Sequence, residues 1–506
     1  MRPWRWLAPA CAFALFAAAG HVAAQGAREA QLVQAAADAL GGRDRIQAVK
    51  TLTIEGYATN PNIGQAMTPE ADPLLWMLPD HKRSIDLQNQ RMALQFTRRP
   101  AFPAVFDNAP QHQRLDGDVA FNIPAAGPGA PAAAPTRLSA AAALDRRIEL
   151  LHHPLTAVRA AMDASARLSH LRDSNGQRSV DVTTAAGDSF TLTLDAQGRP
   201  RSVRTAVYHP NLGDTARTTT FSAYEDLDGV RLPKRLVTTL DRWVEYDLGV
   251  MKNTLDADLR ALRAPNAVRQ AAAPATPAPQ NVTVTPLAKG IWFLTGGAIP
   301  NLVVEFADHV TIVEAGSEAR LRVVLAKARE LVPGKPVTQL VLSHHHFDHT
   351  GGLRAAVAEG LTIITHRVNE AWFREAVRRR HSIEPDALAR SSRGIRIERV
   401  DDARTLKDAA MEMTLYHLAG STHGDGILAA YFPRERIYAE ADVWNPGAQL
   451  QPHVRSLMED IERRRLQIDR VVPLHGQQVR AFAELQKDAQ FWSGRRFTTT
   501  TYSPPR

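Results

Sequence analysis

The sequence predicts an α+β protein in two parts, a mostly antiparallel β domain with helices followed by a domain in which strands and helices interleave. Three observations carry this. The first half alternates apolar and polar residues between turn signals, an Ala/Pro-rich stretch lies near the middle, and the second half places short buried-strand patterns between segments of helical spacing. A chain of 506 residues also exceeds the roughly 250–300 at which single cores tend to split, which favours two domains.

Residues 1–24 have Arg2 and Arg5, an apolar stretch over 7–19, and Val22-Ala23-Ala24 before Gln25. This is the order of a secretory signal peptide, with cleavage expected near Ala24 and a periplasmic or secreted location for the mature chain. The alternative is an uncleaved N-terminal anchor. The stretch is shorter than the roughly 20 residues of a spanning helix, and no later segment approaches that length, so no transmembrane segment is expected in the mature chain. Cys11, the one cysteine, falls inside the signal. A metal site in the mature chain would therefore have to use histidine and carboxylate rather than thiolate.

Residues 25–263 form the first expected domain. Amphipathic stretches at 27–40, closed by Gly41-Gly42, and at 44–49 read as helices, and strands follow. Val180-Asp181-Val182-Thr183 and Phe190-Thr191-Leu192-Thr193-Leu194 alternate, and Asp195-Ala196-Gln197-Gly198 turns the chain into a strand over 202–207. An antiparallel meander results. Residues 124–135 are low in complexity and read as a disordered loop. The run A-L-G-G-R-D-R-I-Q-A-V-K-T-L over 39–52, with Tyr224-Glu225-Asp226-Leu227-Asp228-Gly229-Val230-Arg231-Leu232-Pro233 later, resembles the periplasmic lipoprotein-carrier (LolA/LolB-like) half-barrel. That resemblance implies a sheet able to hold a lipophilic ligand. The plain alternative is a scaffold that docks on its neighbour.

Residues 264–280, which contain A-A-A-P-A-T-P-A-P-Q, suit an extended linker. The second domain is expected over 281–495, with a tail over 496–506. Strands at 301–306 and 310–314 form a hairpin around Asp308, and 318–331 has helical spacing. The segment 337–342 is a buried strand ending at a histidine run, further strands fall at 361–365, 413–418, 427–432 and 436–439, and helices at 368–379 and 454–466.

The run His344-His345-His346-Phe347-Asp348-His349 stands where that buried strand ends, followed by Thr350-Gly351-Gly352 and a helix. Residues two apart in an extended turn point the same way, so His344 and His346 can share one cation while Asp348 and His349 reach toward another. Imidazole and carboxylate suit Zn²⁺, with Mn or Fe as alternatives. A casual His-rich tract would be solvated and unstructured, whereas this one caps a buried strand.

With these residues, H-x-H-x-D-H followed by G-G, the chain resembles the metallo-β-lactamase superfamily, and the resemblance implies an αβ/βα sandwich in the second domain. It also implies three further ligands at strand ends. His423, in Gly420-Ser421-Thr422-His423-Gly424, matches the third histidine, with His417 as its competitor and more naturally a core residue. Asp442 matches a carboxylate bridging two metals, with Glu440 as the alternative if the register differs. His475, in Val471-Val472-Pro473-Leu474-His475-Gly476, matches the last ligand. The implied centre holds two Zn²⁺: His344, His346 and His423 on one, Asp348, His349 and His475 on the other, Asp442 between, with Asp348 and Asp442 as catalytic carboxylates. Glu314 stands where relatives hydrogen-bond a ligand histidine, or is an ordinary strand-end glutamate. His345 reads as structural and His366 as a strand-end histidine, while Trp444, Asn445 and His453 could line the pocket by position.

Two such cations lower the pKa of a shared water from about 15.7 toward 7 and so supply hydroxide at neutral pH. The resemblance implies a metal-dependent hydrolase acting on a small-molecule ester, lactone, thioester or related bond. No lysine or serine motif after Asp442 singles out a β-lactam substrate, which stays an alternative. The competing class is a periplasmic protein that binds a lipophilic ligand and carries a secondary metal domain. Nucleic acid is disfavoured as a partner. The net charge is +8, or +6 without Arg2 and Arg5, and the runs Arg378-Arg379-Arg380 and Arg463-Arg464-Arg465 lack interleaved aromatics.

Overall fold

A computed structural model describes residues 26–102, 109–125, 133–278, 280–448 and 451–492. The expected signal peptide, most of the low-complexity loop (126–132) and the tail lie outside the described residues.

The first half is built on one 13-stranded antiparallel sheet. It consists of two meanders joined where the first strand, Thr51–Pro61, pairs on one side with Leu75–Asp86 and on the other with the last strand, Trp243–Leu255. The alternation read at 180–183 and 190–194 is borne out: Gln177–Thr183 buries Val180 and Val182, Ser189–Leu194 buries every second residue, and Asp195 Oδ1 accepts from the amides of Gln197 and Arg199 to close the turn. Helices over 26–39, Arg43–Ala48, Ala140–Leu151 and Pro154–Met162 cover the sheet. Leu32, Val33, Ala36, Leu155 and Val158 pack there against Leu52, Ile54, Leu192 and Val203. The Ala/Pro-rich stretch begins ordered, since Ala264 and Val268 bury against Val119 and Phe121.

The second half is a four-layer αβ/βα sandwich. A seven-stranded sheet runs from Thr283–Ala288 to Arg396–Val400, antiparallel through Val310–Val313 and parallel beyond it. A six-stranded sheet, from Ala403–Lys407 to Arg480–Ala481, faces it. Phe293, Leu302, Val304, Val341 and Ile364 meet Met413, Leu415, Ala430, Phe432 and Val472 between the sheets. Strands buried on both faces explain why these segments read as continuous apolar runs. Glu318–Leu331, Leu353–Glu359 and Glu370–Arg378 cover one outer face, and Val454–Arg464 and Phe482–Trp492 the other. Among the described residues no helix is long and apolar enough to cross a membrane.

The halves are docked. Leu212, in a turn of the first sheet, and Leu240, on one of its strands, join the apolar cluster of Glu318–Leu331, and the Trp243 and Trp372 rings meet edge to face at 6.2 Å. Asp214 accepts from the amides of Ser382 and Ile383, and Arg379 pairs with Asp241 at 2.8 Å. Arginines of both short basic runs are therefore engaged within the fold, Arg379 and Arg380 here with Asp241 and Asp214, and Arg463 and Arg464 with Asp460, Arg464 also with Asp402.

Candidate metal centre

Val337–Val341 ends between two neighbouring strands, and the chain runs on extended through His346 before the short helix Phe347–Thr350. The two glycines after this helix allow a close approach. A Cβ on Gly352 would sit 3.0 Å from the Cβ atoms of Ala315 and Leu321, and the Gly352 amide donates to Gly316 O at 2.7 Å. The turn after Val310–Val313 is thus drawn beneath the histidine run and brings Glu314 with it.

All seven expected ligands come together. They form two groups, His344, His346, His423 and Asp442, and Asp348, His349, Asp442 and His475, in each of which one ligand atom per residue lies within 4.8 Å of the others. Asp442 belongs to both. Its Oδ2 is 3.1 Å from His349 Nε2, 3.2 Å from His423 Nε2 and 3.6 Å from His344 Nε2. The first group is mostly buried, whereas Asp348 and His475 open to solvent.

The residues fit a pair of cations on their own chemistry. His344 Nε2 and Asp442 Oδ1 are buried without a hydrogen-bond partner among the described residues, and His423 Nε2 and His346 Nδ1 face each other at 2.9 Å. Nitrogen lone pairs and carboxylate oxygens converging this closely are an arrangement that a cation relieves. Burial holds His344 and His346 well below the usual imidazole range, which keeps those lone pairs free. Burial opposes charge on His349 too, but the carboxylates of Asp442, Glu314 and Asp348 outweigh it and raise its pKa well above the usual value. Asp348 and Asp442 are both held below the ordinary carboxylate range despite burial, chiefly by His349.

The outward ring nitrogens are also engaged, which sets which nitrogen faces the centre. Ser343 Oγ lies 2.8 Å from His344 Nδ1, and Glu314 Oε2 lies 3.0 Å from His349 Nδ1. Glu314 is fully buried and has a left-handed backbone, φ 71°, as does Asp442, φ 66°. Such conformations are uncommon for these residue types and persist where the surroundings enforce them. Replacing Glu314 by alanine strands the His349 Nδ1 proton in the interior. The expected result is a roughly 10–100-fold weaker metal affinity, measured by chelator competition, and unchanged affinity would remove Glu314 from this role.

The remaining expectations divide. Glu440 is buried at the end of Ile437–Glu440 but turns to accept from the Val443 and Trp444 amides, and burial pushes its carboxyl up to about 8. His417 stacks on His366 at 3.9 Å and faces Asp425 at 3.3 Å, outside both groups. His345 is buried, as a structural residue would be. His453 stands beside the His423 ring at 5.2 Å and meets Thr422 Oγ1 at 2.8 Å. Trp444 corrects the pocket expectation, because it is a core residue whose Nε1 donates to Asp488 at 2.8 Å. Asn445 is occupied by Gln451 through its backbone. Sequence reasoning missed Ser343 and, from the connection between the first two strands of the first half, Gln65 and Ala66. The Gln65 amide donates to Asp348 Oδ1 at 2.7 Å, and Ala66 O meets His346 Nε2 at 3.0 Å.

Residues 294–475 match the family model of the metallo-beta-lactamase superfamily. A stretch of 167 residues, 32% of this chain, is 30% identical to the 2,4-dinitroanisole O-demethylase subunit alpha of Nocardioides sp. (strain JS1661) and spans 46% of that protein, about half its length. Among solved structures, the metallo-beta-lactamase from Pontibacter korlensis aligns over 42% of this chain and 100% of its own, with 18% identity and a TM-score of 0.32. The rubredoxin oxygen:oxidoreductase of Desulfovibrio gigas aligns over 42% of this chain and 63% of its own, with 15% identity and a TM-score of 0.34. The family match falls on the sandwich and contains every residue of the two clusters, so what this chain shares with the metallo-β-lactamase superfamily is its C-terminal region, residues 294–475.

Proposed function

We propose that this chain is an exported dinuclear zinc hydrolase that cleaves an ester, lactone, thioester or related bond of a small molecule. The observation that carries it is the pair of four-residue groups sharing Asp442, buried on one side and open at Asp348 and His475 on the other. Two cations bound there would supply the Lewis acidity that makes water nucleophilic near neutral pH and polarises a substrate oxygen. The chain's own residues then set the direction. Asp348, ionised beside His349 and exposed, would help position the water and relay its proton. Asp442, fixed between three imidazoles, holds the two groups in register. Burial of His344, His346 and His349 excludes water from the closed side. The reading of export rests on the order of charge, apolar stretch and small residues over 1–24.

The second reading is carriage of a lipophilic molecule by the first region. A groove of 380 Å³ that includes Ile85, Leu87, Leu150 and Leu151 supports it, although Asp86, Arg147 and Arg159 share its lining. The neighbouring 220 Å³ cavity suits a polar occupant, since the pairs Arg83–Glu149 and Arg217–Glu245 line it.

Metal analysis of the purified chain, with turnover on esters, lactones, thioesters, β-lactams and 2,4-dinitroanisole, separates these readings. The relative's name puts that aryl ether on the panel. Two metal equivalents and a turnover that a chelator abolishes and Zn²⁺ restores are expected. A metal-loaded chain inert on every substrate would move the function to the carrier reading.

A further inference from the structure

The segment 62–74, between the first two strands of the first sheet, leaves its own sheet and lies against the metal centre. Its turn is closed internally, with Asn62 N donating to Leu74 O at 2.7 Å and Gln65 N to Asn62 O at 3.0 Å. Gly64, at φ 81°, makes the approach feasible, because a Cβ there would lie 2.2 Å from Phe347 Cγ. Phe347 N donates to Gly64 O at 3.2 Å, and Asp425 N, in the loop that carries His423, donates to Met67 O at 2.7 Å. Four consecutive residues of the first half, Gly64 to Met67, thus contact two ligand-bearing segments of the second.

We propose that this segment is a built-in wall of the metal centre and that Gln65 is a positioning residue that orients the Asp348 carboxylate for metal. The inference rests on the dinuclear reading above. An ionised carboxylate only accepts hydrogen bonds, so the Gln65 group facing it must be the amide nitrogen. With Oδ1 held by that nitrogen, Oδ2 is turned toward His475 at 3.4 Å and His349 at 3.6 Å, the other imidazoles of its group. Ala66 acts on the first group in the same way. Its carbonyl accepts a hydrogen bond from His346 Nε2–H, which leaves Nδ1 facing His423. A hydrolytic centre whose ligands were all oriented within its own fold would not need this segment, and here both groups use it.

The test is Co²⁺ titration of the full chain, followed by visible absorption and chelator competition, on wild type, Gln65→Ala and Gln65→Met. Methionine keeps the length of the side chain and removes the donor. Two Co²⁺ equivalents are expected in wild type. In both variants one equivalent should weaken by roughly 10–100-fold with an altered absorption band, the other should stay as in wild type, and the metal-free melting temperature should not move. Wild-type affinity and spectrum in Gln65→Met would overturn the inference while leaving the dinuclear reading intact. Fewer than two equivalents in wild type would instead defeat the dinuclear reading itself.

Discussion

Asp442→Ala should lose at least one metal equivalent and lower turnover by more than the roughly 10–100-fold that removal of an outer-shell partner costs. The reason is that Asp442 is the one residue common to both groups, so its removal takes each from four donors to three. It also removes the negative charge that sits 3.1 Å from His349 and 3.2 Å from His423, leaving the cations without the carboxylate that offsets their charge between the two groups. Asp442→Asn is the sharper variant. Asparagine tolerates the left-handed backbone at this position and keeps the shape, so the same loss there assigns the effect to charge. Metal content and rate measured on one preparation decide it. A variant holding two metals and turning over at the wild-type rate would show that Asp442 is not shared.

The second large effect is an acid-dependent loss of stability in the first half. His81, His152 and His153 are almost wholly buried there, and burial, reinforced by Arg83, pushes each down to about 3. His152 is held neutral between Thr219 Oγ1 at 2.8 Å and Thr205 Oγ1 at 3.0 Å, and His81 meets Tyr246 Oη at 2.7 Å. Unfolded, these imidazoles titrate near pH 6.5. Below that the unfolded chain binds protons the folded chain refuses, so the stabilisation is complete above pH 6.5 and falls as pH drops toward 3. Each histidine contributes a slope of up to about 1.4 kcal/mol per pH unit, and the three together up to about 4. Urea unfolding of the metal-free full chain between pH 7.5 and 4.5 should show it, and His152→Gln should reduce the slope by about a third. A flat profile would mean that these side chains are reached by protons without unfolding.

Much of the second half was legible because its information is local. The period of apolar residues says which face of a strand or helix is covered, and strand-turn-helix punctuation places the run from His344 to His349 at a strand end. Glu318–Leu331 falls on the residues its spacing indicates, and the strands next to His423, Asp442 and His475 lie within a residue or two of the expected ones. Between competing neighbours the outcome needed the packed structure. Glu440 and Asp442 are two apart near the end of one strand, and only the turn shows that Glu440 caps backbone amides while Asp442, on a left-handed backbone, faces the imidazoles. His417 and His423 were separated in the same way, by the stack on His366.

What the sequence determined by itself, then, is the chemistry of the ligands and the kind of fold that presents them, since both are written in short-range pattern and side-chain type. The tertiary structure decided how that run of histidines is oriented. Gln65 lies 283 residues from the aspartate it holds and Ala66 lies 280 from its histidine. No periodicity or spacing reports such pairs, because they exist only where two separately folded surfaces bury each other, with Gly64 leaving room for Phe347 at the point of contact.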